Sequence, residues 1–339
     1  MVASAVRDQD LSRYILRTNR VLRSSTLRYI ESFSKSLPSN FAQQGTQFCA
    51  SVFAPFRVVA IGGGSMAKIH SICTGLVQVR KAQMVGKGHG IARVVNMLTD
   101  EDWTEWLPIY AWAIERGNRV VLVDTGESSR VHEPGYHPRW HPFYQLATQF
   151  KVAPEDELGP QLRALGIKTG DVSDVILTHL HTDHAGGLRH VVGAKTWVHP
   201  AELARGQGLM GRLNGYLPHR WPKWWQPEAI EFKDGAVGPF AQSMDVTGDG
   251  EVLVIPTPGH TPAHLSVLVQ GSPSVLLAGD TSYTQGLLKE GKVDGVSPNE
   301  EISLGTMNRI LDLARERPLV YLPSHDLESE ARLRGNVTL

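Results

Sequence analysis

Two cysteines, Cys49 and Cys73, are all that 339 residues contain. That excludes a disulfide framework and a thiolate metal site, and it makes a reducing, cytoplasmic setting the default expectation. Charge of either sign is not in excess: 34 Lys and Arg stand against 34 Asp and Glu. A bulk polyanion such as nucleic acid is therefore not an expected partner. Long apolar runs are missing too. A membrane helix needs about 18 uninterrupted apolar residues. The nearest stretch, 48–61, is broken by Pro55 and Arg57, so no membrane span is expected. The hydrophobic fraction of 41% and charged fraction of 20% are those of a globular protein with room for a large core.

Residues 1–66 differ from the rest. Residues 1–65 carry Arg7, Arg13, Arg17, Arg20, Arg23, Arg28, Lys35 and Arg57 against only Asp8, Asp10 and Glu31, and they end in a glycine-rich GGGS. This basic, serine-rich composition is expected to be a poorly ordered extension, and its bias leaves a targeting role open. Met66 opens a stretch that reads as a domain start, so residues 67–339 form the expected folded unit.

Within that unit, strand-like and helix-like pieces alternate. RVVLVDTG (119–126) reads as a buried strand ending in a turn, and VSDVILTHL (172–180) as another. Between them, Leu158, Leu162 and Leu165 repeat at helical spacing before Gly166. EVLVIPTPGHT, HLSVLVQ and SVLLAGD are three further strand candidates. Ile302, Met307, Ile310, Leu311 and Ala314 mark an amphipathic helix, and LVYLPSHD a last strand. Two sheets covered by helices, an αββα sandwich, fit this order.

Polar ligand-type residues gather where these runs stop. THLHTDHAGG (178–187) places His179, His181, Asp183 and His184 within six positions behind a buried strand. Residues two apart in a strand share a face, so His179 and His181 can aim at one point. A turn into helix after Leu180 would bring Asp183 and His184 to the same cavity. Neutral imidazole and carboxylate suit zinc and its first-row neighbours. Four ligands are too few for two metals, so others are required at strand ends. His260, Asp280 and His325 each close an apolar run. A lone histidine at a strand end is ordinarily just hydrogen-bonded; seven residues following one rule point to a shared metal site.

The pattern His179-x-His181-x-Asp183-His184, followed in order by His260, Asp280 and His325, resembles the metallo-β-lactamase superfamily, as does the VDTG turn around Asp124. The resemblance implies a metallo-β-lactamase αββα sandwich with two divalent ions per chain. Zinc is the first choice, and iron, manganese and cobalt are also compatible. It implies one ion on His179, His181 and His260, the other on Asp183, His184 and His325, and Asp280 between them. Asp280 is followed by Tyr283 in DTSYT, and His325 sits in SHDLESE. These look like the N-acyl-homoserine lactonases, which hydrolyse bacterial quorum-sensing signals. By that resemblance Tyr283 reaches the substrate carbonyl, a hydroxide bridging the two ions attacks the lactone, Asp183 shuttles the proton, and a homodimer is an option.

Other hydrolases on the same site are the alternatives: a pyridoxolactonase or other lactonase, a glyoxalase II-like thioesterase, or an organophosphate or ester hydrolase. Tyr283 speaks against the thioesterase. A metal-dependent nuclease is opposed by the neutral charge, and a non-catalytic scaffold by the full ligand set. No G-x-S-x-G elbow is present for covalent catalysis. His264 is expected either to support a ligand or to cap a strand, His190 and His199 to serve structure, and His132, His137, His141 and His219 to lie in loops. Trp103, Trp106, Trp221, Trp224 and Trp225 are expected to pack, with an acyl-chain pocket as their alternative use.

Overall fold

The structure is a computed structural model and describes residues 67–339; the extension expected over 1–66, with Cys49, lies outside the described residues. One sheet contains β1 (Lys68–Val79), β2 (Leu107–Arg116), β3 (Arg119–Val123), β4 (Thr148–Lys151), β5 (Val172–Ile176), β6 (Lys195–Val198) and β7 (Glu228–Ala229). Their order across it is β4-β1-β2-β3-β5-β6-β7. The second sheet contains β8 (Met244–Asp245), β9 (Val252–Pro256), β10 (Leu265–Val269), β11 (Ser274–Gly279) and β12 (Leu319–Pro323), ordered β12-β11-β10-β9-β8.

The first eight residues of β2, and every residue of β10, β11 and β12, are buried. Strands that read as continuous apolar runs are covered on both faces. On the first sheet the Leu158–Ala164 helix supplies Leu158 and Leu162, which pack with Leu122 and Val175. On the second the Glu300–Glu316 helix supplies Met307, Ile310 and Leu313, which pack with Leu268, Leu276 and Tyr321. The αββα expectation holds. Each fully buried leucine or isoleucine in these layers contributes about 1.5–3 kcal/mol by leaving water.

Strand direction positions the site. β3 and β5 are parallel, as are β11 and β12. β9 and β11 are both antiparallel to β10, so β9 runs with β11. The C-terminal ends of β3 and β5 therefore share one edge, and those of β9, β11 and β12 share another. Backbone bonds Leu265 N–H to Thr178 O (3.0 Å) and Tyr110 N–H to Ser324 O (3.0 Å) join the sheets beside these ends.

The helical spacing of Leu158, Leu162 and Leu165 gives the expected helix, Leu158–Ala164, and the Glu157 carboxylate just ahead of it accepts from the Ser129 amide (2.8 Å) and hydroxyl (2.5 Å) rather than capping it. Gly166 then turns left-handed (φ 79°) and ends the run. Ahead of Trp221, Trp224 and Trp225 the chain forms the Pro200–Gly206 and Gly208–Leu213 helices. Among the described residues no helix is long and apolar enough to cross a membrane.

Candidate metal centre

β5 stops at Ile176, so His179 and His181 lie on the loop beyond it and not on one strand face as strand alternation suggested. They still converge, because each offers a different nitrogen: His179 Nε2 and His181 Nδ1 are 3.1 Å apart. His181 Nδ1 is also 3.1 Å from His260 Nε2. Asp183 and His184 follow from the helical turn Thr182–Ala185, as the sequence suggested. His184 Nε2 is 3.9 Å from Asp183 Oδ1, and His325 Nε2 is 3.5 Å from Asp183 Oδ2. Asp280, directly after β11, stands between the two groups. Its carboxylate is 3.4 Å from His184 Nε2, 3.5 Å from His260 Nε2 and 3.4 Å from His325 Nε2. All seven sequence-picked ligand candidates come together. Within each of the sets His179–His181–His260, His179–His184–Asp280 and Asp183–His184–His325, ligand atoms lie within 4.8 Å of one another.

What stands behind these side chains settles their tautomers. Asp124 accepts from Thr178 N–H (2.8 Å), from the Thr178 hydroxyl (2.9 Å) and from His184 Nδ1 (2.8 Å). With its proton given to Asp124, the Thr178 hydroxyl can only accept from His179 Nδ1 at 3.1 Å. His260 Nδ1 faces Asp294 Oδ2 (3.3 Å), His325 Nδ1 faces Pro108 O (2.8 Å), and His181 Nε2 faces Asn214 O (3.2 Å). Each imidazole thus spends its N–H outward and turns a lone pair inward. Lone pairs of His179 and His260, each 3.1 Å from that of His181, repel it unless a cation lies among them. Ligands about 2.0–2.1 Å from a tetrahedral zinc are about 3.3 Å apart, close to this spacing. His184 Nε2 and Asp280 Oδ1 are buried with no hydrogen-bond partner among the described residues. The residues present fit divalent cations. The local field agrees. Burial alone would lower the pKa of His184, yet the carboxylates of Asp280, Asp124 and Asp183 raise it well above its ordinary value. A field that draws protons in this way also draws a metal ion.

Two further supports brace the loops. His264 takes the ligand-supporting of its two expected roles. Its Nε2 accepts the Asp280 amide N–H (3.0 Å), while its Nδ1 faces the Thr257 hydroxyl (3.0 Å). Glu202, buried, accepts from Leu180 N–H (3.2 Å), the Tyr216 hydroxyl (2.7 Å) and the Thr261 hydroxyl (2.9 Å). It ties the histidine-rich loop to the loop that carries His260. Sequence reasoning missed Glu202, which reads as an ordinary helix-start acid, and Asp294, which reads as a turn residue.

Tyr283 reaches the site. Its ring stacks on His325 (centroids 5.6 Å apart), and its hydroxyl accepts from Gln83 Nε2 at 2.9 Å. Burial first, then the Asp280 and Asp294 charges, hold its pKa well above the usual value, so it remains a neutral donor. Beside His325 and Thr284 opens a cavity of about 700 Å³ with Met84, Val85 and Leu107 in its wall. The tryptophans do not form it. Trp103 stacks under Arg80 and Trp106 under Lys151, while Trp221 packs on Trp225, whose indole donates to Thr196. Of the other histidines, His190 pairs with Glu157 (2.6 Å) and His199 caps a helix, as expected. His132 accepts from Val152 N–H (3.4 Å), a partner the sequence did not reveal.

A family model described as the Metallo-beta-lactamase superfamily matches residues 104–325. An N-acyl homoserine lactonase from Bacillus sp is 28% identical over 232 residues, 66% of this chain and 83% of that protein. A solved N-acyl homoserine lactone hydrolase, with the product N-hexanoyl-L-homoserine bound at its catalytic metal center, superposes with TM-score 0.63. It is 22% identical and covers 78% of this chain and 95% of its own. A dizinc quorum-quenching lactonase superposes with TM-score 0.55 at 15% identity, covering 79% and 90%.

Proposed function

The chain belongs to the metallo-beta-lactamase superfamily, and from that premise we propose that it is a hydrolase that opens the lactone ring of N-acyl homoserine lactones. The observation that carries the reading is Tyr283, three residues after Asp280, stacked on His325 with its hydroxyl donated to by Gln83. A neutral phenol there supplies an oxyanion donor next to the ligand cluster. The similarity to lactonases over 66% of the chain supports the same substrate class.

His179, His181 and His260 would hold one divalent cation in this reading, and Asp183, His184 and His325 a second, with the Asp280 carboxylate lying beside both sets. Two such ions, zinc as first choice, would supply Lewis acidity and lower the pKa of water to about 7, making hydroxide available at neutral pH. The Tyr283 hydroxyl donates to the carbonyl oxygen as negative charge develops on it. Asp183, the more exposed of the two carboxylates (side chain 18% exposed), takes a proton from the adding water and passes it to the ring oxygen as the ring C–O bond breaks and that oxygen leaves as the hydroxyl of the product. His264 and Asp294 do no chemistry; they fix Asp280 and His260. The cavity beside His325 receives the acyl chain, its volume lying within the usual range of about 300–1,000 Å³ for small-molecule pockets. No protein nucleophile takes part.

Turnover in ¹⁸O-water tests this route. Attack at the carbonyl puts the label in the new carboxylate of the product, seen by mass spectrometry. Label in the homoserine hydroxyl would mean attack at the ring carbon and would end the proposal.

A further inference from the structure

Several tyrosines close to the site give their proton to the protein. Tyr136 donates to the Glu127 carboxylate (3.2 Å), Tyr216 to Glu202 (2.7 Å) and Tyr144 to Gly215 O. Tyr283 does the reverse. Its oxygen accepts from the Gln83 side-chain amide (2.9 Å), and among the described residues no protein acceptor takes its hydroxyl proton. Gln83 is itself 5% exposed, and its Oε1 is buried without a hydrogen-bond partner. A buried amide whose oxygen has no partner costs free energy. Packing alone would be better served by an apolar residue of that length.

The Gln83 backbone is held firmly. The Lys81–Met84 helical turn takes Ala82 N–H to Asp100 Oδ2 (2.7 Å), and Gln83 O accepts from Gly295 N–H (2.7 Å). A Cβ on Gly295 would lie 2.3 Å from Ala82 O, so the two segments meet backbone to backbone. Gly295 follows Asp294, which orients His260. The side chain of Gln83 thus extends from an anchored turn against the same framework as the ligand cluster.

We propose that Gln83 is a positioning residue: by donating to the phenolic oxygen of Tyr283 it leaves the Tyr283 proton no protein acceptor and directs it to the substrate carbonyl. A phenol that accepts one hydrogen bond is also a stronger donor of its own. The inference rests on the lactonase reading of Tyr283 and adds to it the group that sets the direction of its proton.

The test is a double-mutant cycle on the metal-loaded full chain with N-hexanoyl homoserine lactone. Gln83→Met is expected to lower kcat about tenfold with KM little changed. Gln83→Glu is expected to lower it further at pH 8, because a carboxylate turns the hydroxyl proton toward itself. Both effects are expected to vanish in a Tyr283→Phe background. Gln83→Asn, which retracts the amide by one methylene, gives the same comparison if methionine impairs folding. Equal losses with and without the Tyr283 hydroxyl would show a packing role and overturn the proposal. Near wild-type activity in Gln83→Glu would overturn it as well, since the amide would then be accepting. A wild-type enzyme inactive on every lactone would instead remove the functional reading, whereas an active one indifferent to Gln83→Met would remove only this inference.

Discussion

Asp294 decides which nitrogen His260 offers to the centre. Its carboxylate accepts from Val296 N–H (2.8 Å), Ser297 N–H (2.7 Å) and the Ser297 hydroxyl (2.9 Å), which leaves an oxygen facing His260 Nδ1. Asp294→Asn keeps the size but places a donor against that N–H, so the imidazole loses its fixed orientation. Metal affinity is expected to fall about 10- to 100-fold, read by competition with a chromophoric chelator, with little change in the melting temperature of the metal-free protein. Glu127 presents a different residue-scale effect. It is fully buried with Oε2 unpartnered, and burial, assisted by the Asp183 charge and opposed by Thr182 and Ser128, pushes its pKa up to about 8. A carboxyl whose folded pKa exceeds its unfolded one keeps its full stability below the unfolded value, near 4.5. It loses stability as pH rises through the window up to about 8. The loss is on the order of 3 kcal/mol by pH 7. Glu127→Gln is expected to flatten the decline of stability in urea titrations between pH 5 and 8; an unchanged slope would reject the assignment. At this scale the sequence revealed ligands and concealed their supports. A metal ligand is recognisable by residue type and spacing, whereas Asp294 and Glu202 act through contacts between segments far apart in the chain.

The ligand candidates do not sit in strands but just past them. β5, β9, β11 and β12 end one to five residues before His179 or His181, His260, Asp280 and His325, and the shared direction of β9, β11 and β12 puts their ends together. Where two such ends meet, the backbone must be bare. Gly279 closes β11 at φ 57°, and a Cβ there would lie 2.6 Å from His264 Nε2 and 3.0 Å from Thr178 Cβ. Gly279→Ala is therefore expected to displace His264 from the Asp280 amide and to lower both activity and melting temperature. A wild-type melt with full activity would show that the close approach is dispensable. The apolar runs made β3, β5, β9 to β12 and the Glu300–Glu316 helix readable. β4, β7 and β8 were not, being two to four residues long and formed by pairing with a neighbouring strand. The Leu158–Ala164 helix was readable from its leucine spacing, whereas the engagement of Glu157 by Ser129, Arg189 and His190 was not.

At the scale of the molecule, two layers of buried strands between helical layers keep the ligand loops at one edge of both sheets. That edge is why seven dispersed polar residues act as one site. The fold class and the ligand cluster were legible because both rest on periodicity and on residue chemistry. The cavity was not. Its wall includes Met84, Val85 and Leu107, which no sequence pattern singled out, and the tryptophans that looked suited to it are engaged by Arg80, Lys151 and each other. The choice of substrate class rests on Tyr283 more than on the histidine motif, which serves many hydrolases. Proton release from the purified, metal-loaded protein should accordingly be followed with N-acyl homoserine lactones of several chain lengths, S-lactoylglutathione and nitrocefin side by side. The account predicts fast acid production from the lactones and little from the other two. Fast turnover of S-lactoylglutathione or nitrocefin with inert lactones would contradict it.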